Sequence, residues 1–292
     1  MGSAFVFTGA ILFSGKAILV KLAYRFEEVD SISLLALRML FSLPFFLLIG
    51  WWAHQNTPVA DRPIDTKDWF KIFTLGVAGY YLASLFDFLG LQYITAGLER
   101  LILFMYPTIV VLFSFLYGKP VNRIIFFALP LTYLGIGIAF WGSAQSGQNE
   151  NTLLGSMLIF LAAITFAMYI FGSGNLIPRI GAKRYTAIAM TAAATGILVH
   201  HALTQQLVLF HFPKGVYYLV VLMAIFTTVL PSFLVSEGIR VVGSNQAAVI
   251  GSIGPISTII LAYIFLEESF GGLEVLGTLL VIGGVLLISL RK

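Results

Sequence analysis

The sequence contains no cysteine and very little charge, and both shortages narrow the class of protein. Among its 292 residues only 10% are charged, whereas 59% are apolar, and the mean hydropathy is +0.96. A chain of this size with so few polar side chains cannot cover the surface of a water-soluble globule. The lack of cysteine excludes disulfide bonds, thiolate metal ligands and a cysteine nucleophile. The composition therefore indicates an integral membrane protein.

Neither the net charge nor the histidines indicate a nucleic acid, a metal or a nucleotide. The formal charge of +4 is the difference between 17 basic and 13 acidic residues spread along short loops, so no basic stripe is available to displace counterions from a phosphate backbone. The four histidines lie near the ends of apolar segments without metal-ligand spacing, and no Walker-type loop is present. We expect no nucleic-acid partner, no metal, no cofactor and no enzymatic activity.

Ten apolar segments are candidates for crossing a bilayer. Most contain 18 to 25 residues, which at about 1.5 Å per residue matches a hydrocarbon core of about 30 Å. They are residues 4–23, 32–52, 69–91, 96–117, 124–141, 153–175, 185–201, 216–240, 245–266 and 273–290. The first segment lacks the basic start and the cleavage site of a signal peptide. The prediction is one all-α membrane domain with ten transmembrane helices.

The ten segments form two copies of a five-helix unit. Residues 82–135 align without a gap on residues 230–283, an offset of 148 residues that matches Pro107 with Pro255 and keeps the apolar segments in register. We assign residues 1–143 to the first repeat and residues 152–292 to the second. An internal repeat in a membrane chain is typical of secondary transporters.

The distribution of lysine and arginine predicts the orientation of the chain. With a cytoplasmic N-terminus, eleven basic residues near the segment ends lie inside and four lie outside, as the positive-inside rule requires. Both termini are then cytoplasmic. Because five spans is an odd number, the second repeat enters the bilayer from the opposite side, and the two repeats are inverted.

Several short motifs resemble one transporter family. Residues 94–97 (Ile-Thr-Ala-Gly) open the fourth segment, and residues 266–268 (Leu-Glu-Glu) end the ninth; Lys21 stands where a lysine is common. With the ten-segment pattern, these residues resemble the EamA-like branch of the drug/metabolite transporter superfamily. The resemblance implies a protein of the plasma (bacterial inner) membrane with a central cavity lined by helices one, three, four, six, eight and nine.

Five charged side chains lie inside the predicted spans, where each costs about 2.5 to 3.5 kcal/mol. They are Lys16, Arg38, Asp87, Glu99 and Arg100, and their sum leaves one positive charge without an internal partner. One interpretation is structural, with Asp87 paired to Arg100 and with Lys16 or Arg38 extended toward the outer surface. Lys16 is the deepest, about 18 Å from the inner end of its helix. We expect Lys16, with Glu99, to bind an acidic or zwitterionic group of the substrate or to carry a coupled proton.

Helical spacing adds the other candidate substrate-binding residues. They are Tyr80 and Ser84 on the third helix, Leu103 and Tyr106 on the fourth, Phe166 and Tyr169 on the sixth, and Ser232 and Ser236 on the eighth. The family resemblance places these helices around the cavity. Without it, an aromatic stripe of this kind would more often be a packing or lipid-facing surface.

Two prolines and one charged pair are candidates for conformational roles. Pro107 and Pro255 lie within predicted helices, where each frees a carbonyl group and acts either as a hinge or as a static kink. Glu237 and Arg240 are three residues apart near the inner end of the eighth helix. They form either an interfacial ion pair or a cytoplasmic gate. Small residues such as Gly135 permit close packing, either in folding or in a homodimer.

The sequence thus predicts a secondary transporter of a small organic metabolite that works by alternating access. Its expected partners are membrane lipid and an amphipathic, amino-acid-like or acid-bearing substrate, and the expected direction is export. Two alternatives remain open: uptake or exchange of a more strongly anionic metabolite, and a structural or lipid-flipping membrane subunit.

Overall fold

The computed structural model describes residues 2–26, 28–56, 64–118, 125–145, 151–251 and 253–290. These residues are mainly helical, and no strand occurs among them. We label the helical runs α1 to α10 in chain order. They are α1 (Gly2–Tyr24), α2 (Ser31–Asn56), α3 (Thr66–Gly90), α4 (Ala96–Leu116), α5 (Ile125–Gln145), α6 (Thr152–Ile180), α7 (Ala182–Gln205), α8 (Lys214–Gly243), α9 (residues 244–251 with Ile253–Leu266) and α10 (Gly272–Leu290). Gly243, at φ 82°, separates α8 from α9.

Seven of these helices are long and apolar enough to cross a membrane, namely α1 to α4 and α6 to α8. Two further apolar stretches, Ile253–Leu266 and Gly272–Gly284, have 10 to 17 residues when only the described residues are counted. The predicted all-helical membrane fold is confirmed, whereas ten spans exceed the number that the described helices support by length and composition. Five of the eleven basic residues assigned to the inside lie outside the described residues: Arg62, Lys119, Arg123, Arg291 and Lys292.

The outward surface of the helices is strongly apolar. Leu48, Phe70, Leu134 and Leu279 each expose more than 60% of their surface. In water, apolar side chains exposed on this scale are a liability for aggregation, whereas hydrocarbon is their natural solvent. The surface therefore agrees with the composition in placing these helices in lipid.

The helices of the two halves exchange roles in the packing. Helix α1 packs against α8 and α9, and α6 packs in the corresponding way against α3 and α4. Helix α2 pairs with its counterpart α7, and α5 pairs with α10. Matching helices of the two halves therefore pack against matching partners.

Two glycine contacts illustrate this exchange. A Cβ atom at Gly90 of α3 would lie 3.0 Å from the carbonyl oxygen of Gly155 in α6. A Cβ atom at Gly238 of α8 would lie 3.3 Å from the carbonyl oxygen of Gly2 in α1. Because Gly90 and Gly238 are separated by the same 148 residues as the sequence repeat, one close helix crossing is made twice.

Two of the helices contain a π-helical turn at the same place in each repeat. The turn in α3 spans Val77–Leu82, and the turn in α8 spans Ile225–Val229. The two turns begin 148 residues apart. Single π turns of this kind are frequent at functional sites, because the wider turn reorients the side chains on it.

The two prolines differ in their place within a helix. Helix α4 is interrupted at Phe104 and Met105, and Pro107 is the second residue of the segment Tyr106–Leu116 that follows. Pro255 lies within α9, four residues beyond Gly251. The predicted mid-helix position is therefore wrong for Pro107 alone, which sits where its missing N–H has no helical partner to lose. A hinge function for either proline stays a prediction.

Candidate functional site

A cavity of about 150 Å³ lies among the helices of both halves. Seven predicted substrate-binding residues line it: Lys16, Tyr80, Ser84, Leu103, Tyr106, Phe166 and Ser232. The helices expected around the cavity contribute to it, and α2 and α7 add Arg38 and Met190. Glu99, Tyr169 and Ser236 are not among the lining residues and are buried in the surrounding packing.

About half of the lining residues form pairs that are related by the sequence repeat. Six pairs are separated by 148 residues: Gly79 and Thr227, Tyr80 and Thr228, Ser84 and Ser232, Asp87 and Val235, Leu103 and Gly251, and Tyr106 and Gly254. The first two pairs lie on the π turns of α3 and α8. The same backbone positions of the two repeats therefore border one cavity.

The buried charges form a cluster at one part of this cavity. The Lys16 Nζ atom lies 2.7 Å from Asp87 Oδ2 and 3.8 Å from Glu99 Oε1. The Arg100 Nε atom lies 3.7 Å from Glu99 Oε2, and the Arg100 guanidinium donates to the carbonyl oxygen of Phe13 at 3.0 Å. The predicted pair of Asp87 with Arg100 is therefore wrong. Because α1 packs against α4, Lys16 approaches Glu99 of α4 and Asp87 near the end of α3, while Arg100 lies beside Glu99.

Arg38 has a different environment from the other two cations. Its Nη2 atom donates to Ser84 Oγ at 2.9 Å, and its Cζ atom lies 4.8 Å from the centre of the Phe88 ring. Arg38 is 3% exposed, and its Nε atom has no hydrogen-bond partner. Among the described residues, no carboxylate oxygen lies within 4.0 Å of it. The predicted extension toward the outer surface is wrong, because the side chain is enclosed and borders the cavity.

Aromatic rings form another wall of the cavity. Tyr106 and Phe166 meet edge to face at 5.0 Å, and Tyr80 approaches Phe166 at 6.5 Å in the same manner. Tyr169 packs behind them, 4.7 Å from Tyr80, and is 2% exposed. Edge-to-face contacts between aromatic rings are favourable and hold the rings in fixed orientations. The cavity thus combines a charged region with an ordered aromatic surface.

The remaining predicted residues lie toward the other end of α8. Ser236 is buried and accepts a hydrogen bond from Thr186 Oγ1 at 2.7 Å. Arg240 Nε donates to Glu237 Oε1 at 3.0 Å, and the Arg240 side chain is half exposed. The predicted ion pair of Glu237 with Arg240 is confirmed, whereas a gating role for it stays a prediction.

The structure brings together two motifs that are about 170 residues apart in the sequence. Glu268, beyond the end of α9, accepts hydrogen bonds from the backbone N–H groups of Ala96 at 2.9 Å and Gly97 at 3.3 Å. Thr95 Oγ1 accepts a third bond, from the N–H of Leu98 at 3.2 Å. These acceptors satisfy the free N–H groups at the start of α4. Burial raises the pKa of the Glu268 carboxyl, while the bond from Ala96 opposes that rise.

Sequence reasoning missed several lining residues, including Phe13, Thr227 and Thr228. Thr228 was within reach of the sequence, because it lies four residues before Ser232 and matches Tyr80 in the repeat. Ser14 was missed as well, and its hydroxyl donates to the carbonyl oxygens of Ala10 and Gly254 at 2.8 and 3.0 Å. Within the described ranges, no group of three or more histidine or acidic side chains is placed to hold a metal ion.

An apolar helical surface that encloses a partly charged, partly aromatic cavity defines a polytopic membrane protein. The profile of the EamA-like transporter family matches residues 1–141 and 153–290, which is most of the chain. The chain belongs to this family, within the drug/metabolite transporter superfamily. It is therefore a membrane transporter rather than an enzyme.

Individual relatives carry matching descriptions. The uncharacterized transporter YcbK of Bacillus subtilis (strain 168) is 31% identical over 282 residues, which are 94% of this chain and 88% of YcbK. The uncharacterized inner membrane transporter YicL of Salmonella typhimurium (strain LT2) is 23% identical, and the alignment covers 98% of this chain and 94% of YicL. A solved crystal structure superposes with a TM-score of 0.67 at 17% identity, covering 99% of this chain and 96% of the other, and supports the fold alone.

Proposed function

We propose that this protein is a secondary transporter in which two inverted five-helix repeats share one substrate cavity and open it to each side of the membrane in turn. The six lining pairs at a spacing of 148 residues carry this proposal. Two repeats that border one site with the same backbone positions can move against each other around it, which is the arrangement that alternating access requires.

The fold offers further support for the inverted repeat. The exchange of partners between α1 and α6, the self-pairing of α2 with α7 and the duplicated π turns are what a two-fold relation between the halves would produce. With five helices in each half, such a relation reverses the direction of the second half in the membrane. The ten helical runs would then include the shorter ones as spans packed against their neighbours.

The lining chemistry supports an amphipathic substrate. Lys16, Arg38 and Arg100 border the cavity together with Asp87, while Tyr80, Tyr106 and Phe166 form its aromatic wall. A molecule with an acidic or zwitterionic head group and an apolar or aromatic tail, such as an amino-acid-like metabolite, complements both regions. We propose export as the direction, by analogy with the drug/metabolite superfamily, from a bacterial cytoplasm across the inner membrane.

The alternative of a more strongly anionic substrate draws on one observation. Such a substrate needs more basic groups than Lys16 alone, and Arg38 and Arg100 also line the cavity. Against it, Asp87 and Glu99 neutralise two of the three positive charges. We therefore prefer a substrate with a single acidic group.

The orientation of the repeats can be tested directly because the chain has no cysteine. Lys119 and Glu267 occupy matching positions of the two repeats. In intact cells, a membrane-impermeant maleimide should label Glu267→Cys from outside and should label Lys119→Cys once the membrane is opened. Labelling of both residues from the same side would overturn the inverted arrangement.

Transport itself is tested with purified protein in liposomes. A thermal-stabilisation screen against amino acids, nucleobases, polyamines and quaternary amines selects compounds, whose radiolabelled forms are then followed across liposome membranes with and without an imposed pH gradient. We expect saturable flux of at least one acid-bearing compound that protein-free liposomes lack. If no compound stabilises the protein and none is transported, the protein would instead fit a structural or lipid-flipping subunit.

A further inference from the structure

The buried charge cluster contains one more cation than carboxylates, and the structure identifies the cation that is left over. Lys16 lies 2.7 Å from Asp87, and Arg100 lies 3.7 Å from Glu99. Arg38 is the third cation, and its side chain borders the cavity without an ion pair to any described residue. The surplus positive charge of the cluster therefore belongs to Arg38.

We propose that Arg38, together with the hydroxyl group of Ser84, binds the carboxylate of the transported substrate, and that Lys16 mainly neutralises Asp87. This proposal rests on the transport function proposed above and assigns the anion-binding residue of that site. It reverses the roles that the sequence predicted for Lys16 and Arg38.

The environment of Arg38 favours a bound carboxylate. A buried donor without a partner is costly, and the Nε atom of Arg38 is such a donor. The guanidinium group presents its N–H groups in a planar fork that matches the two oxygens of a carboxylate. An incoming carboxylate would therefore satisfy the free donor and balance the surplus charge in one contact.

The guanidinium group is also held in place before any substrate arrives. Ser84 fixes one nitrogen through a 2.9 Å hydrogen bond, and the ring of Phe88 lies 4.8 Å from the Cζ atom. Since Ser84 accepts this bond, its own hydroxyl hydrogen remains free to donate to an anion. A site that is ordered in advance loses less entropy when it binds.

Lys16 is less suited to the same task. Its ammonium group already contacts two buried carboxyl groups, at 2.7 and 3.8 Å. A substrate carboxylate at Lys16 would compete with Asp87 and would bring a third negative charge into the same small region. Like charges this close repel strongly inside a protein.

The neighbouring residues define the rest of the ligand. Tyr80 is four residues before Ser84 on α3, so the two side chains share one face of the helix, and both line the cavity. Tyr80 in turn contacts Phe166, which meets Tyr106. The ligand class is therefore an organic monocarboxylate whose apolar or aromatic tail is small enough for a cavity of about 150 Å³.

Three probes that share one phenyl group separate charge from size: 3-phenylpropanoate, 3-phenylpropanamide and 3-phenylpropylamine. Their affinities are measured by calorimetry on purified full-length protein. We expect the acid to bind at least about tenfold more tightly than the amide, since charged hydrogen bonds contribute about 1.5 to 3 kcal/mol. In Arg38→Gln the acid-to-amide ratio should fall below about twofold, which is the loss of that charged interaction.

Two variants control for charge and folding. Arg240→Gln makes the same substitution at a half-exposed ion pair and should keep the parental ratio. Lys16→Gln combined with Asp87→Asn removes a cation and an anion together, so the net charge is unchanged, and should also keep it. If Arg38→Gln does not fold, Arg38→Lys and Ser84→Ala replace it, and each should lower the ratio.

The proposal is overturned if the parent binds the acid no more tightly than the amide, or if the Arg38 variants keep the parental ratio. It is also overturned if the Lys16 and Asp87 double variant folds and loses the ratio. These outcomes leave the transport function untouched, because the liposome screen includes cations and neutral compounds. A failure of that screen with intact acid binding would count against transport alone.

Discussion

The two repeats build the same framework but line the cavity with different side chains. The contrast is clearest at four matched positions: Tyr80 against Thr228, Asp87 against Val235, Leu103 against Gly251, and Tyr106 against Gly254. In each pair the first repeat contributes the larger or charged residue, and the second contributes a smaller or uncharged one. The backbone relation is preserved while the chemistry has diverged.

This difference has a consequence for the substrate. Two repeats with identical linings would offer two equivalent half-sites, and a bound molecule could face either way. Here the charged lining residues lie in the first repeat, whereas Gly251 and Gly254 of the second repeat leave space beside them. In the proposed binding mode, this asymmetry of the lining would fix one orientation of the head group.

The largest expected effect comes from removing a charge that the second repeat lacks. Asp87→Asn leaves Lys16 without its close carboxylate partner in the interior, and breaking a buried pair in this way costs about 3 to 5 kcal/mol. Val235→Ala, at the matched position, removes only two carbon atoms and should cost at most about 1.5 kcal/mol. Unfolding in a detergent and denaturant series measures both changes.

A double substitution decides whether the cost of Asp87→Asn arises from the uncompensated charge. Lys16→Met with Asp87→Leu removes both charges and should unfold close to the parent, since apolar replacement of a buried pair is often neutral or stabilising. If Asp87→Asn unfolds with the same free energy as the parent, the Asp87 charge does not contribute to stability. The two repeats would then not differ in stability at this matched position.

The second prediction concerns the space left by the second repeat. A Cβ atom at Gly251 would have Tyr106 Oη as its nearest neighbour, at 3.5 Å, so a side chain can enter without a backbone clash. Gly251→Leu should place its side chain in the cavity of about 150 Å³. We expect substrate affinity to fall at least about tenfold, equivalent to about 1.4 kcal/mol, with folding retained.

Gly251→Ala is the matched control, because it adds a single methyl group and should keep most of the affinity. Binding is measured by the calorimetric assay used for the phenyl probes. If Gly251→Leu binds them as tightly as the parent, the substrate does not occupy the space beside the second repeat.

The third prediction tests whether the close helix crossings of the two repeats are equally sensitive to an added methyl group. Gly90→Ala and Gly238→Ala each place a methyl group at a close helix crossing, where the nearest atoms belong to Ile159 and Val6 respectively. Overpacking of this kind costs about 1 to 3 kcal/mol. We expect similar losses for the two variants in the same unfolding assay. A large loss at one position and none at the other would show that the framework is not equivalent in the two halves.

Hydrophobicity predicted the helices and the five charges inside them. Helical spacing selected the ten substrate-binding candidates, and the family resemblance placed their helices around a cavity, which seven of them line. Helix ends near glycine and proline were harder to predict. The interruption of α4 at Phe104 and Met105 moved Pro107 from the middle of a helix to the start of one.

Pairings between helices could not be predicted, because they depend on rotations of one helix against another that a single sequence does not encode locally. Lys16 of α1 lies beside Asp87 of α3 and Glu99 of α4, and Arg38 is enclosed because α2 brings it beside Ser84 of α3. The contact of Glu268 with Ala96 is of the same kind, since it joins the two repeats across 172 residues.

The smallest expected effect concerns Glu268, the acid that the second repeat places at the start of α4. The matched position of the first repeat is Pro120, which has no ionisable group. Burial raises the pKa of Glu268 in the folded protein above its ordinary value. A carboxyl whose pKa is raised by folding adds stability below its unfolded pKa, and this contribution is lost as the pH rises through the folded pKa. The advantage of the parent over Glu268→Gln in melting temperature should therefore shrink as the pH increases from about 4 to 8.

Asp30 titrates in the opposite sense, because hydrogen bonds from Ser33 and Gln205 lower its pKa against the effect of burial. Asp30 is present in both proteins, so its contribution cancels in the difference between them. A difference in melting temperature that stays constant with pH would mean that Glu268 acts at α4 through its hydrogen bonds alone, and that the second repeat adds no titrating group to the fold.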